Sequence, residues 1–122
     1  MITLVADVGG TQSRLGLVQN GILNEASIRH FLNDKFNSFY EVIAEYLHTQ
    51  KAIKISSCVI AIAGPIVEGE ASFTNLDWKI SDIDIEKLTY CDNVVLINDL
   101  TSLGYSLKKL PSAGIQHIIG PE

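Results

Sequence analysis

The segment Asp7-Val8-Gly9-Gly10-Thr11-Gln12-Ser13-Arg14 brings a carboxylate, two adjacent glycines and a hydroxyl together. Adjacent glycines reach positive φ freely and let a ligand approach the backbone with no Cβ in the way. Successive N–H groups of such a turn can converge on an anion. Thr11 adds a hydroxyl donor, and Asp7 places a carboxylate where a hydrated Mg²⁺ can sit. The P-loop pattern G-x-x-x-x-G-K-[ST] and the dinucleotide pattern G-x-G-x-x-G are both absent. In each of those a helix follows the glycines, whereas residues 15–18 (LGLV) read as a strand. The glycines therefore belong to a strand–turn–strand hairpin. A plain turn is the competing meaning, but a carboxylate, two glycines and a threonine in this order exceed what a turn needs.

A second chemical pair is Asn98-Asp99, directly after the apolar run 94–97 (VVLI). In open α/β sheets ligands gather at the carboxyl ends of strands. Asp7, Gly64 and Asp99 each end an apolar run, so all three are expected on one rim. A rim aspartate within hydrogen-bond reach of a sugar hydroxyl suits a general base, and its ordinary pKa of about 3.9 keeps it ionised at neutral pH. The competing role for Asp99 is helix N-cap for residues 100–110; the two are compatible. Asn98, with two donors and an acceptor, matches neighbouring hydroxyls of a polyol.

The elements that must position these residues follow from periodicity. Residues 2–7, 15–18 and 22–30 read as an antiparallel meander, with Asn20-Gly21 as a two-residue hairpin turn. Phe39, Val42, Ile43, Tyr46 and Leu47 recur at helical spacing over residues 38–50, and Ser38 with Glu41 forms a capping box. Residues 57–63 (SCVIAIA) form a strand buried on both faces, ended by Gly64-Pro65. Residues 66–78 read as a small hairpin or excursion, and Ser81 with Asp84 caps a short helix through Leu88. A strand over 94–97, a helix over 100–110 closed by Pro111 and a strand beginning over 115–119 complete the order. Strands followed by alternating helices and strands make an α/β domain on a mixed sheet.

Composition narrows the function classes. The chain has 122 residues, 47% of them hydrophobic, and a net charge of −5, a length for one domain that buries about two-thirds of its surface. No basic cluster denser than Lys108-Lys109 occurs, which argues against nucleic acid and against anionic membrane surfaces. No apolar run is long enough to span a bilayer and no leader peptide opens the chain; a cytoplasmic location is expected. Cys58 and Cys91 make neither a disulfide framework nor a zinc site. His30, His48 and His117 share no metal-ligand spacing and read as structural or surface residues. Cys58, Tyr40, Tyr46 and Trp78 read as packing residues, with Asn75 or Lys79 as the sharper candidates for reaching a crevice. Glu68 and Glu70 read as solvated.

Taken together, the chain resembles the N-terminal lobe of bacterial-type glucokinases in the sugar-kinase and actin superfamily. The matching residues are the Asp7-to-Leu15 segment, Ala61-Ile62-Ala63-Gly64-Pro65-Ile66, Thr74-Asn75-Leu76-Asp77-Trp78 and Ile97-Asn98-Asp99-Leu100-Thr101. These motifs stand in family order and cover nearly the whole chain. The resemblance implies a ribonuclease-H-like (actin-like ATPase) lobe with a mixed five-stranded sheet, three antiparallel N-terminal strands and flanking helices. It implies ATP-dependent transfer to the 6-hydroxyl of glucose, with ATP and Mg²⁺ as cofactors and glucose or a similar hexose as substrate. By the same resemblance Asp99 is the catalytic base and Asn98 binds the sugar. Gly9, Gly10 and Thr11 face the ATP phosphates, and Asp7 holds Mg²⁺ through water. Gly64, Pro65 and residues 75–79, Asn75 among them, border the sugar crevice.

The departure from the family is length. Residues 1–122 correspond to a first lobe, ending at Gly120-Pro121-Glu122 with the fold still open, and a C-terminal lobe is an expected partner. Alone, the chain is expected to have negligible kinase activity, and uncovered apolar surface is expected to favour self-association into a homo-oligomer. Competing readings are a related hexose or N-acetylhexosamine kinase, and a non-catalytic sugar-sensing domain of the same fold. Asp99 argues against the sensor, which needs no base. A dinucleotide-binding oxidoreductase fails on the absent glycine pattern and on the strand after Arg14.

Overall fold

A computed structural model of the chain describes residues 1–50, 53–73 and 76–98. Strand β1 (Ile2–Val8) is apolar along most of its length, with Asp7 as a partly exposed exception near its end. Strand β2 (Gln12–Gln19) runs antiparallel to it, and β3 (Ile22–Leu32) runs antiparallel to β2. Between β2 and β3, Asn20 and Gly21 take φ of 52° and 81°, the left-handed pair that matches the twist of two paired strands. Strand β2 starts at Gln12, earlier than its apolar residues indicate. Ladder pairing opposite β1 requires backbone rather than apolar side chains, and Ser13 and Arg14 pair with Val8 and Asp7.

The β2–β3 register shifts between Leu15 and Leu17, where β3 carries surplus residues. The Ser27 hydroxyl accepts a hydrogen bond from the Leu17 N–H at 2.9 Å, standing in for the missing ladder acceptor. The Ser27 carbonyl in turn accepts from the Tyr46 hydroxyl at 2.8 Å. Tyr46 lies on helix α1 (Phe39–Thr49), whose buried stripe is Phe39, Val42, Ile43 and Tyr46. The capping box forms in part: the Ser38 hydroxyl accepts from the Glu41 N–H at 3.3 Å, while the Glu41 carboxylate reaches the Asn37 N–H at 2.8 Å instead of that of Ser38.

Strand β4 (Ser57–Ile62) lies parallel to β1, and an antiparallel trio follows: β5 (Ile66–Val67), β6 (Glu70–Ser72) and β7 (Lys79–Ser81). The expected excursion over 66–78 is thus a hairpin turned by Glu68 and Gly69, at φ 53° and 79°, plus one more strand. Helix α2 (Asp82–Thr89) follows directly. Ser81 stands at its N-cap but its side chain makes no cap bond. Its N–H donates to the Tyr40 hydroxyl at 2.8 Å, so Tyr40 joins α1 to this junction rather than only packing. Strand β8 (Val94–Ile97) pairs parallel with β4, giving the order β3-β2-β1-β4-β8. The expected helix over 100–110 and strand over 115–119 lie outside the described residues.

Alternation along β1 divides the sheet's two faces. Leu4, Ala6 and Val8 join Leu15, Leu17, Ile60 and Ile62 against α1, with Ile85 of α2 in the same core. Val5 joins Val18, Leu23, Val59, Ala61 and Ile97 on the other face. Trp78 is buried beside Phe39 and Phe73, ring centroids 6.2 and 6.4 Å away, as its reading as a core anchor requires. Cys58 and Cys91 are free buried thiols 3.6 Å apart. Burial, and next the neighbouring Cys91, pushes the Cys58 thiol well above its ordinary range, so it stays protonated and unreactive. Among the described residues no helix is long and apolar enough to cross a membrane.

Burial pushes the Tyr46 phenol up from 10.0 to about 12. The folded state therefore keeps a proton that the unfolded chain releases near pH 10. This stabilisation is intact below about pH 10 and is lost as pH rises from about 10 to about 12. Tyr46→Phe should cost about 1 kcal/mol at neutral pH, because the Ser27 carbonyl loses its donor, and should flatten that alkaline loss. Urea denaturation at a series of pH values checks both; a variant as alkali-sensitive as the parent contradicts the assignment.

Candidate functional site

Parallel pairing sets the carboxyl ends of β1, β4 and β8 at one edge of the sheet. The register is close: Asp7 lies opposite Ala61, and Ala61 opposite Ile97. Neighbouring strands stand about 4.8 Å apart, so Asp7 and Ile97 are about 10 Å apart along this row. One residue further on come Val8, Ile62 and the exposed Asn98. Beyond them lie the Gly9-Gly10-Thr11 turn on β1 and Gly64-Pro65 on β4. The described residues thus bring Asp7, Gly9, Gly10, Thr11, Gly64, Pro65 and Asn98 to a common rim. Asn75 and Asp99 lie outside the described residues.

The glycine turn is closed by the Gly9 N–H, which donates to the Gln12 carbonyl at 3.0 Å. Neither Gly9 nor Gly10 has positive φ. Left-handed backbone, offered from sequence as one reason for the pair, is therefore not what they supply. The second reason stands: they leave the turn's surface free of Cβ atoms. Among the described residues, the N–H groups of Gly10 and Thr11 meet no acceptor, an arrangement that suits an anion.

Behind the turn sits Asn33, a residue that sequence reasoning passed over. It begins a 3-10 turn (Asn33–Lys35) after β3 and is 1% exposed. Its carboxamide N–H donates to the Gly9 carbonyl at 2.8 Å, its carboxamide oxygen accepts from the Ser13 hydroxyl at 2.7 Å, and its backbone N–H donates to the Thr11 carbonyl at 2.9 Å. An asparagine after a strand reads as an ordinary turn former. Only the buried Ser13, at a position where β2 would otherwise be apolar, hinted at a polar partner.

Asp7 faces Arg14 directly across the β1–β2 ladder, and the guanidinium donates to one carboxylate oxygen at 2.7 Å. Each side chain is about one-quarter exposed (25% and 24%). The other carboxylate oxygen has no recorded partner among the described residues. A carboxylate with one oxygen anchored and one open fits Mg²⁺ held through water, since this ion keeps several waters and takes its remaining ligands from phosphates. Among the described residues no cluster of three or more metal-ligating side chains occurs, so an all-protein cage is not what these residues offer.

Gly64 is constrained by packing. A Cβ there would stand 2.2 Å from the Ser72 carbonyl oxygen, and the Ser72 N–H donates to the Pro65 carbonyl at 3.2 Å. The short β5–β6 hairpin is thereby tied against the end of β4, which fixes one wall of the rim.

The profile of the glucokinase family matches residues 4–122. The chain is 31% identical over 119 residues to the glucokinase of Caulobacter vibrioides, covering 94% of this chain and 35% of that protein. It is 35% identical over 109 residues to the glucokinase of Tolumonas auensis, covering 88% and 33%. It therefore spans about a third of the length of these curated relatives. Among solved structures, a glucokinase from an Antarctic psychrotroph superposes with a TM-score of 0.74 at 29% identity, covering 88% of this chain and 35% of the other. A ROK family glucokinase from Streptomyces griseus, solved with glucose and AMPPNP, shares the fold at 19% identity and a TM-score of 0.65, covering 93% and 38%. The mixed sheet is thus that of an actin-like ATPase sugar-kinase lobe.

Because the Ser72 carbonyl is backbone and cannot swing aside, Gly64→Ala should destabilise the protein by about 1–3 kcal/mol through overpacking. The urea midpoint should fall with an unchanged slope. An unshifted midpoint would mean that the β4–β5 junction is loose.

Proposed function

Because this chain belongs to the glucokinase family, we propose that it is the first lobe of a two-lobe kinase that transfers the terminal phosphoryl group of ATP to the 6-hydroxyl of glucose. The observation that carries the reading is the row Asp7–Ala61–Ile97. It brings the glycine turn and Asn98 to one rim, which supports a reading in which one pair of small molecules meets there.

In this reading the amides of Gly10 and Thr11, with the Thr11 hydroxyl, bind phosphate oxygens that approach the Cβ-free turn. Asp7, oriented by Arg14, holds Mg²⁺ through water; when bound, the ion neutralises charge on the phosphates. Asn98 hydrogen-bonds the sugar, and Gly64, Pro65 and Asn75 border it. Asp99 accepts the proton of the 6-hydroxyl as the new O–P bond forms and the bond to the ADP oxygen breaks. Phosphoryl transfer passes through a loose transition state, so positioning and charge balance supply most of the acceleration. Closure by a C-terminal lobe excludes water, which would otherwise compete as acceptor.

Asp99→Asn in the complete two-lobe protein should lower kcat by about 10²–10⁴-fold, the usual contribution of a general base, with glucose binding largely retained. Calorimetry with glucose and a coupled assay for ADP measure the two separately. Unchanged turnover would remove Asp99 from the role, whereas a parent protein that binds glucose without turnover would favour the sugar-sensing alternative. The 122-residue chain alone should show negligible glucose phosphorylation.

A further inference from the structure

We infer that Asn33 is a positioning residue for nucleotide phosphate binding: it sets the direction of the amide that the glycine turn presents. The inference rests on the kinase reading above and deepens it at one residue.

In a trans peptide the carbonyl of one residue and the N–H of the next lie in one plane and point in opposite directions. The Gly9 carbonyl is held by the Asn33 carboxamide at 2.8 Å, so the Gly10 N–H is turned away from Asn33. Asn33 is buried, which leaves the Gly10 amide on the outer side of the turn. The Gly9–Gly10 peptide flanks two residues with no Cβ, and such a unit would otherwise rotate with little steric resistance. A second bond, from the Asn33 backbone N–H to the Thr11 carbonyl at 2.9 Å, holds the other side of the turn.

The carboxamide is itself locked. Its oxygen accepts from the Ser13 hydroxyl at 2.7 Å while its N–H serves Gly9, which assigns the two ends of the amide group unambiguously. Ser13 is fully buried at the start of β2. The chain of contacts Ser13–Asn33–Gly9 therefore runs from the buried start of β2 to the half-buried turn. Preorganised donors of this kind bind an anion without the cost of ordering them on arrival. Asn33 touches no part of the proposed ligands; it acts through Gly9 and Thr11.

The test uses the complete two-lobe protein and two variants. Asn33→Ala removes the carboxamide. Asn33→Asp keeps the shape and the acceptor for Ser13 but, ionised, has no donor for the Gly9 carbonyl. ATP·Mg affinity is measured by calorimetry without sugar, and KM is measured separately for ATP and glucose. Both variants should weaken ATP·Mg binding and raise KM for ATP about tenfold, the scale of one lost hydrogen bond, with KM for glucose within about twofold of the parent. A folded variant of either kind whose ATP affinity stays within twofold of the parent overturns the inference, as does an equal rise in both KM values. If Asn33→Ala does not fold, Asn33→Asp decides. A parent protein that binds ATP·Mg but does not phosphorylate glucose would remove the glucokinase reading and leave this inference standing; one that binds no ATP·Mg overturns both.

Discussion

Parallel pairing of β1 with β4 and of β4 with β8 is the constraint on which the rest of the structure depends. Two parallel strands cannot be joined by a tight turn; the chain must cross over and re-enter at the same end. Here α1 makes the first crossover, and the small β5–β7 sheet with α2 makes the second. Every strand so joined delivers its carboxyl end to one edge. Asp7, Ala61 and Ile97 fall on a single row, and a one-residue slip of either pairing would turn the strand's side chains to the wrong face. The rim is therefore placed by backbone pairing.

The antiparallel half of the sheet has a different task. Strand β2 does not cross over, and its return beside β1 creates the tight turn of Gly9, Gly10 and Thr11. A turn built this way presents amides at the same edge that the parallel strands reach. Its conformation is then held from behind by Asn33 and Ser13, and its base is pinned by the Asp7–Arg14 pair. Tyr46 and Ser27 perform a comparable service at the other end of β2, where a hydroxyl replaces a ladder acceptor. Both devices place a buried polar group with all its partners present, the condition under which such groups rigidify a fold.

Much of this was legible in the sequence. Asn20-Gly21 announced its turn, the stripe of Phe39, Val42, Ile43 and Tyr46 announced a helix, and the run 57–63 announced a strand buried on both faces. These signals are local, set by φ preference and periodicity. What escaped depends on contacts between distant segments. Asn33 meets Gly9 across 24 positions, and nothing in its neighbours indicates burial. Ser81 and Asp84 carry the letters of a helix cap, yet the Ser81 N–H is taken by Tyr40 from another helix. Gly64 reads as a strand terminator, whereas its lack of a side chain answers to the Ser72 carbonyl. At the site, the glycine pair was legible as a turn that admits a ligand, but its backbone adopts no left-handed φ.

The family match over residues 4–122 and the shared fold give this arrangement its context, and the row across β1, β4 and β8 supports the proposed mechanism. The central claim is that one rim serves both the nucleotide phosphates and the sugar. It is tested most directly by a crystal structure of the complete two-lobe protein with glucose and a non-hydrolysable ATP analogue. The account predicts phosphate oxygens on the Gly10 and Thr11 amides, with the sugar's 6-hydroxyl beside Asn98-Asp99 at the same edge. Phosphates bound away from the glycine turn, or a sugar seated on the face covered by α1, would contradict it.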